Sequence, residues 1–225
     1  MYSALLVIIY LAFISLGLPD TLLGSAWPQM HIELNASLSS AGIITMIISF
    51  GTVISSLLSD KLNIKLGTGK VTAISVLMTA VALLGFSLSH SFIILCVLAV
   101  PYGLGAGAVD AALNNYVALH YSSKHMSWLH CFWGVGASIG PYIIGTCMAH
   151  GLGWRGGYSV ISVIQFTLTA ALFIALPLWK KVENSENNVS NENNERTQEE
   201  PQERKAKSLS EVLHIKGVIY ILFAF

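Results

Sequence analysis

The chain has 225 residues, a mean hydropathy of +0.65, 54% apolar residues and only 11% charged residues. Soluble globular domains are about 25% charged, so this composition excludes that class and indicates a membrane protein in contact with the lipid bilayer. The 12 basic and 12 acidic residues balance, so we expect no nucleic-acid partner. Cys96, Cys131 and Cys147 lie at irregular spacing within apolar blocks. This predicts small buried side chains and no metal site.

Six apolar blocks are each long enough to cross a membrane, which takes about 20 mostly apolar residues. In chain order these predicted spans cover residues 4–28, 38–59, 71–89, 92–119, 127–149 and 158–179. The first block has no Lys or Arg before its apolar core and exceeds the length of a secretion signal, so we expect it to be retained. Because the connections are short, consecutive spans are predicted to be antiparallel, which gives an all-α, polytopic fold.

Basic residues predict the orientation of these spans. Eleven of the 12 follow the second, fourth or sixth predicted span, and only Arg155 follows an odd-numbered span, the fifth. By the positive-inside rule, we expect the N-terminus and residues 181–211 to be cytoplasmic in a multi-pass protein of the plasma or inner membrane.

Three regions are predicted along the chain. Residues 1–180 form the six-span bundle, residues 181–211 form a polar, disordered linker, and residues 212–225 begin a seventh span. At 1.5 Å per residue this last segment covers only about 20 Å, too little to cross the membrane. We therefore expect the chain to be the first part of a longer protein. A regulatory docking segment is the alternative for the linker.

The next feature is the glycine and aspartate pattern of the first and fourth spans. Gly17-Leu-Pro-Asp20-Thr-Leu-Leu23 and Gly107-Ala-Val-Asp110-Ala-Ala-Leu113 both read G-x-x-D-x-x-L. These are the only two carboxylates within the predicted spans. Because a lipid-facing carboxylate costs roughly 2.5–3.5 kcal/mol, both are predicted to face a wet central cavity, where they can bind solute or exchange protons. The alternative is a structural carboxyl bonded to a neighbouring helix.

Further polar and aromatic residues are candidates for the same cavity. Asn114 follows Asp110 by four residues and shares its helix face, and Asn115 extends this polar segment, which suits hydroxyl groups. At the start of the fifth span, "SWLHCFWGVG" supplies His130, which can relay protons, and Trp133, which can stack on a sugar ring. A histidine bonded to a backbone carbonyl is the alternative for His130.

Three polar residues of other segments complete the set of candidates. Gln29 and Gln165 are weaker candidates for the cavity, and Arg155 is expected at the external surface beside Trp154. No nucleophile, base and orienting group occur together, so we do not expect an enzyme.

The connection after the second span, "SLLSDKLNIKLGTGK", resembles the signature loop of the major facilitator superfamily. That loop has Gly, three residues, Asp, Arg or Lys, and then Gly followed by basic residues. The matching residues here are Asp60, Lys61, Gly67, Gly69 and Lys70. Two departures are Ser56, where a glycine is usual, and the longer stretch 62–66. The resemblance implies a gate in which Asp60 pairs with a basic group or caps a helix. A plain positive-inside loop is the alternative.

The fifth span carries a glycine and proline pattern, "GVGASIGPYIIG", which is similar to that of exporters in the same superfamily. Its residues are Gly134, Gly136, Gly140, Pro141 and Gly145. Small residues allow helices to approach closely, and neighbouring helices can satisfy the carbonyls that a proline frees. Close packing alone is the alternative, while the resemblance favours antiport.

The whole chain resembles the N-terminal half of a major facilitator superfamily transporter. The resemblance implies two inverted three-helix repeats and a central site completed by the C-terminal half of the same protein. Asp20, Asp110 and Asn114 resemble residues that the fucose and glucose permease branch uses for sugar binding and proton coupling.

The function implied is alternating-access transport of a small, polar, sugar-like solute by symport with protons. Na⁺ is the alternative coupling ion, and no other cofactor is expected. A drug or metabolite exporter is the main alternative. A seven-helix receptor is a third possibility, disfavoured by the predicted cytoplasmic N-terminus.

Overall fold

A computed structural model of the chain describes residues 2–182. The predicted seventh span and almost all of the predicted linker therefore lie outside the described residues. The principal helices are α1 Tyr2–Asp20, α2 Leu22–Glu33, α3 Ala41–Leu66, α4 Thr68–Leu88, α5 Phe92–His120, α6 Ser123–Ala149 and α7 Gly153–Ile174. Between residues 2 and 182 there is no β-strand, which confirms the all-α prediction.

Six segments are long and apolar enough to cross a membrane, as predicted. They are Ala4–Glu33, Leu38–Leu66, Thr68–Leu88, Phe92–His120, Ser123–Ala149 and Gly153–Ile174. We number them spans 1 to 6, with α1 and α2 together forming span 1. The connections after spans 1, 3 and 5 lie at one end of the bundle, which we call the Arg155 end. Those after spans 2 and 4 lie at the opposite end, which we call the Lys70 end.

Several span boundaries differ from the predicted ones by a few residues, and glycine geometry sets the two discussed next. Span 2 continues through residues 60–66 and ends only at Gly67, where φ is 80°. Span 6 begins at Gly153 and not at 158. Gly153 itself (φ 63°) and Gly151 before it (φ 77°) both have positive φ. L-residues avoid this region for steric reasons, so these glycines allow the sharp turns that end one helix and begin the next.

Span 1 is interrupted in its middle. α1 ends at Asp20 and α2 begins at Leu22, with Thr21 at φ −103° and ψ 0° between them. Pro19 lacks a backbone N–H and its ring crowds the preceding turn, so it weakens the helix at this point. The break therefore falls directly after the carboxylate of the G-x-x-D pattern.

The two predicted three-helix repeats are interleaved: span 1 packs extensively on span 5, and span 2 on span 4. A Cβ at Gly17 would collide with the carbonyl oxygen of Trp133 in span 5. A Cβ at Gly107 would collide with the carbonyl oxygen of Thr52 in span 2. An inverted repeat exchanges span 1 with span 4 and span 5 with span 2, so these are the same contact made twice.

The glycines of span 5 divide into two groups. Gly136 and Gly140 lie against the backbone of span 1, where an added Cβ would meet the carbonyl oxygens of Ile14 and Leu18. Gly134 and Gly145 have no such neighbour within 4 Å. Pro141 lies within the continuous helix α6.

The cysteines differ in exposure. Cys147 is buried, Cys96 is half-buried and Cys131 is exposed. The prediction that all three are buried is therefore wrong for Cys131, because this residue lies on a face of α6 that no other described helix covers.

Candidate functional site

A cavity of about 640 Å³ opens at the centre of the bundle, within the size range of about 300–1,000 Å³ usual for small-molecule sites. Its walls combine aliphatic and aromatic side chains with polar groups from several spans. The polar and aromatic members that matter below are Asp20, Tyr102, Asp110, His130, Trp133 and Tyr158, together with the hydroxyl residues Thr45, Ser49 and Thr52. The structure thus brings both aspartates of the G-x-x-D patterns to one cavity.

Asp20 lies at the end of α1, and its side chain is exposed on the cavity wall. Its Oδ1 accepts a hydrogen bond from the hydroxyl of Tyr102 in span 4 at 3.3 Å. Its Oδ2 accepts one from Nε1 of Trp133 in span 5 at 2.9 Å. Each carboxylate oxygen therefore has a neutral donor, and the two donors come from two different helices.

Asp110 is half-buried and has different surroundings. Its Oδ1 accepts a hydrogen bond from Nδ2 of Asn114 at 3.0 Å, one helical turn away. Its second oxygen has no hydrogen-bond partner among residues 2–182. The buried Oδ1 of Asn114 likewise has none there. The Asp110 and Asn114 pair therefore leaves one carboxylate oxygen available to a solute or a proton.

His130 and Trp133 both line the cavity one helical turn apart on span 5. The imidazole of His130 shares the cavity with Asp110 and packs edge-on against the ring of Phe13, with centroids 6.0 Å apart. Within the part of the chain that the structure describes, His130 makes no hydrogen bond to a backbone carbonyl, so the alternative raised for this residue is not what the structure shows.

The inverted repeat extends to the polar residues of the cavity. Since Gly17 and Gly107 contact Trp133 and Thr52 in the same way, Thr52 of span 2 is the counterpart of Trp133 of span 5. Ser49 and His130 lie three residues before Thr52 and Trp133, so Ser49 is the counterpart of His130. All four line the cavity. The backbone is therefore arranged symmetrically, whereas span 2 supplies hydroxyl groups and span 5 supplies aromatic rings.

Some sequence candidates lie elsewhere. Asn115 is exposed and does not line the cavity. Asn114 does not line it either, and the structure places it behind Asp110 as a hydrogen-bond partner, so the expectation that these two residues face the cavity is wrong. Gln165 is buried in the contact between spans 6 and 1, where its side chain bonds the hydroxyl and carbonyl of Ser15. Gln29 accepts a hydrogen bond from the backbone N–H of Trp154 at the Arg155 end. The expectation that either glutamine faces the cavity is therefore wrong, because each is satisfied by a neighbouring helix.

Sequence reasoning missed Tyr102. The residue is 5% exposed, lines the cavity and holds Asp20. A buried tyrosine hydroxyl usually needs a hydrogen-bond partner, so a tyrosine in the middle of an apolar span was a signal that could have indicated a polar neighbour.

The loop residues of the predicted gate lie far from this cavity, at the Lys70 end. Asp60, Lys61 and Lys70 are exposed. Asp60 lies within α3 and not at its end, and among the described residues it forms no salt bridge and caps no helix, unlike the predicted gate contact. Gly69 lies directly against the Trp179 ring, which leaves no space for a Cβ.

At the opposite end, a cluster joins spans 1, 3 and 6. The guanidinium of Arg155 forms a salt bridge with Glu33 and donates hydrogen bonds to the Ser89 carbonyl, at 3.1 Å from Nη2. It also lies over the Trp154 ring, 4.2 Å from the centroid, so Arg155 does lie beside Trp154 as expected. Trp154 Nε1 donates to Glu33 at 3.0 Å. The cluster holds the second half of span 1 in place.

The chemistry available in the cavity is binding and proton exchange. Carboxylate and hydroxyl groups can bond a polar solute, an indole can stack on a ring, and a carboxyl with an open oxygen can take up a proton. Among residues 2–182 there is no group of three or more His, Cys, Asp or Glu side chains that could hold a metal ion.

Comparison with known proteins agrees with this architecture. An "Uncharacterized transporter y4wD" of Sinorhizobium fredii (strain NBRC 101917 / NGR234) is 24% identical over 116 residues, which is 50% of this chain and 31% of that protein. The chain therefore matches less than a third of the length of this relative. The family model described as Major Facilitator Superfamily matches residues 9–225. With six membrane-crossing helices and a match over nearly its whole length, the chain belongs to the Major Facilitator Superfamily.

Proposed function

We propose that this chain forms the N-terminal half of a secondary active transporter, which moves a small, polar, sugar-like solute together with protons by alternating access. The C-terminal half of the same transporter would complete the site. The observation that carries this proposal is the meeting of Asp20 and Asp110 in one cavity, beside hydroxyl groups and an indole ring. Ionisable residues at such a depth are typical of solute and proton pathways.

The proposed cycle uses a carboxyl group as the coupling element. With the cavity open to one side, a cavity carboxyl takes up a proton and the solute binds to the span 2 hydroxyls and the indole of Trp133. The loaded cavity then closes and reopens to the cytoplasm, which lies on the Lys70 side in this proposal, where solute and proton leave. Protons are the proposed coupling ion because both carboxylates bond only neutral donors among the described residues.

The test uses the full-length transporter in proteoliposomes, with radiolabelled D-glucose and L-fucose as probes. We expect Asp110→Asn to abolish sugar-driven alkalinisation of the external medium, because an amide cannot exchange the coupling proton. Asn115→Ala is the control, since Asn115 lies on the same helix but is exposed and outside the cavity lining. Undiminished alkalinisation in Asp110→Asn would overturn proton symport through this residue.

A second candidate function is the export of lipophilic cations. It is favoured by one observation: within the described residues the cavity lining holds two aspartates and several aromatic rings but no Lys or Arg. Such a lining suits an organic cation, which the faces of aromatic rings attract. Proton-driven ethidium efflux without any sugar uptake would favour this function over symport.

A further inference from the structure

The two cavity carboxylates have different hydrogen-bond partners, and this difference indicates different roles. We propose that Asp20 is a positioning residue, which holds the indole of Trp133 as the stacking surface of the solute site, and that Asp110 alone carries the exchanged proton. This inference rests on the transport function proposed above and assigns a different role to each of its two carboxylates. Tyr102 is the second residue that holds Asp20 in this arrangement.

The first step of the argument concerns hydrogen-bonding capacity. An indole N–H can only donate, so Trp133 needs an acceptor oxygen on Asp20. The Tyr102 hydroxyl, which is buried, donates to the other oxygen and has no other hydrogen-bond partner among the described residues. Hydrogen bonds to an ionised acceptor are about twice as strong as those between neutral groups, so protonation of Asp20 would weaken these bonds. The ionised carboxylate is thus the form that both donors stabilise.

The second step concerns Trp133, which is held both at its backbone and at its side chain. Gly17 packs against its carbonyl, and Asp20, one helical turn later on span 1, accepts its Nε1–H. The ring is 37% exposed and lines the cavity, so part of the indole remains accessible to a solute. Fixing a flat aromatic ring before the solute arrives lowers the entropy cost of stacking on it.

The third step concerns Asp110, which has no hydrogen-bond donor from another helix among the described residues. Its only hydrogen-bond donor among the described residues is Asn114, and its second oxygen is open. The ionisable groups that share the cavity with it are Asp20 in span 1, Tyr102 in span 4, His130 in span 5 and Tyr158 in span 6. Asp110 can therefore gain or lose a proton without breaking a contact between helices.

A double-mutant cycle on the full-length transporter tests whether Asp20 acts through Trp133. The measured quantity is the half-saturation concentration for exchange of D-glucose or L-fucose, which needs no net proton movement. Asp20→Asn places an N–H₂ group against one of the two donors, and Trp133→Phe keeps a ring but removes the Nε1–H. A hydrogen bond to a charged group is worth roughly 1.5–3 kcal/mol, so we expect each change to raise this concentration about tenfold or more.

The coupling between the two changes decides the outcome. If Asp20 acts through the indole, the double variant should be no worse than either single variant. Trp128→Phe is the matched control, because Trp128 is an exposed tryptophan of the same helix that does not line the cavity. Independent effects, which would multiply to about a hundredfold in the double variant, would overturn the positioning role.

Proton movement tests the other half of the proposal. At saturating solute we expect Asp20→Asn to retain the protons moved per sugar, whereas Asp110→Asn loses them. The opposite pattern would overturn the division of roles. If the wild-type protein moves sugar without protons, proton symport fails, but the double-mutant cycle still decides the role of Asp20.

A measurement without solute covers the case in which neither sugar binds. The full-length protein is labelled with 5-fluorotryptophan, and the ¹⁹F resonance of residue 133 is assigned from its loss in Trp133→Phe. We expect Asp20→Asn to shift and broaden this resonance, and Tyr102→Phe to shift it less. Asp110→Asn should leave it in place. An unchanged resonance in Asp20→Asn would overturn the proposal.

Discussion

The two G-x-x-D-x-x-L segments share their backbone packing and differ in what surrounds their carboxylates. In both, the glycine lies against a carbonyl of the partner helix, Trp133 for Gly17 and Thr52 for Gly107. In both, the aspartate three residues later lines the same cavity. Yet span 1 breaks after its aspartate, whereas span 4 continues as one helix from Phe92 to His120.

This difference shows how a repeated backbone can carry unequal chemistry. The glycine determines how closely the helices approach, and that requirement is the same in both repeats. The facing helix determines the carboxylate's partner: span 5 presents an indole N–H to Asp20, while the corresponding Thr52 of span 2 bonds backbone carbonyls, at 3.0 Å to Ile48. Asp110 is therefore left with a partner from its own helix, Asn114.

The strongest test of the shared backbone is Gly17→Ala and Gly107→Ala in the full-length protein. Each new Cβ would collide with a backbone carbonyl oxygen, which cannot move aside as a side chain can. Overpacking costs roughly 1–3 kcal/mol, occasionally more, and we expect about 3 kcal/mol or more here. The measurement is thermal unfolding in detergent.

Gly24→Ala and Gly145→Ala are the controls for this pair, because a Cβ at either site meets no atom within 4 Å. Both should keep the wild-type melting temperature or raise it, since alanine favours a helix more than glycine does. If Gly17→Ala destabilised the protein and Gly107→Ala did not, the two contacts would not be equivalent.

A smaller effect is expected at the turns that follow the second helix of each repeat. Gly67 (φ 80°) ends span 2 and Gly153 (φ 63°) begins span 6. Changing either residue to alanine should cost about 1–2 kcal/mol, because a Cβ is disfavoured at positive φ. The same melting experiment measures it, with Gly42→Ala, in an open helical position, as the control. Equal losses of stability in the two variants would show that the turns also follow the inverted repeat. A loss in one variant alone would show that the repeat does not include the turns.

The smallest effect concerns hydroxyl groups that join the interleaved helices. Thr21 donates to the carbonyl of Ala137 at 2.8 Å, and Ser56 donates to that of Gly107 at 3.2 Å. Interhelical hydrogen bonds within membranes average about 0.6 kcal/mol, so Thr21→Val and Ser56→Ala should each lower stability by about that amount.

Thr167→Val is the control for these variants, because Thr167 is exposed and bonds only Val163 of its own helix. A loss as large in Thr167→Val would show that the interhelical bonds contribute nothing specific. The measurement is again the melting temperature, with replicate scans to resolve a difference of this size.

The sequence predicted the six spans well because length and hydropathy alone determine whether a helix can cross a membrane. It also predicted that Asp20 and Asp110 would share a cavity, from their depth and their common pattern. It placed the end of span 2 too early, because Asp60, Lys61 and Lys65 made residues 60–66 resemble a loop. Charge ends the apolar segment, but only Gly67 ends the helix.

The side chains that complete the site were harder to predict, because hydropathy does not report which face of a helix a residue occupies. Gln165 and Tyr102 are both buried residues with polar groups, and each is satisfied by a group on span 1. One lies in a helix contact and the other at the cavity. Only the packing of spans 4 and 6 against span 1 distinguishes them.

The interleaved packing of the helices has a consequence for how the protein is made. Spans 1 to 3 leave the ribosome first, yet the glycine faces of spans 1 and 2 find their partners only in spans 5 and 4. After three spans have been inserted, Gly17 and Gly51 thus face lipid or the insertion machinery. These glycine contacts of the first repeat must therefore wait for synthesis of the second, and a chain halted after residue 91 could form neither of them.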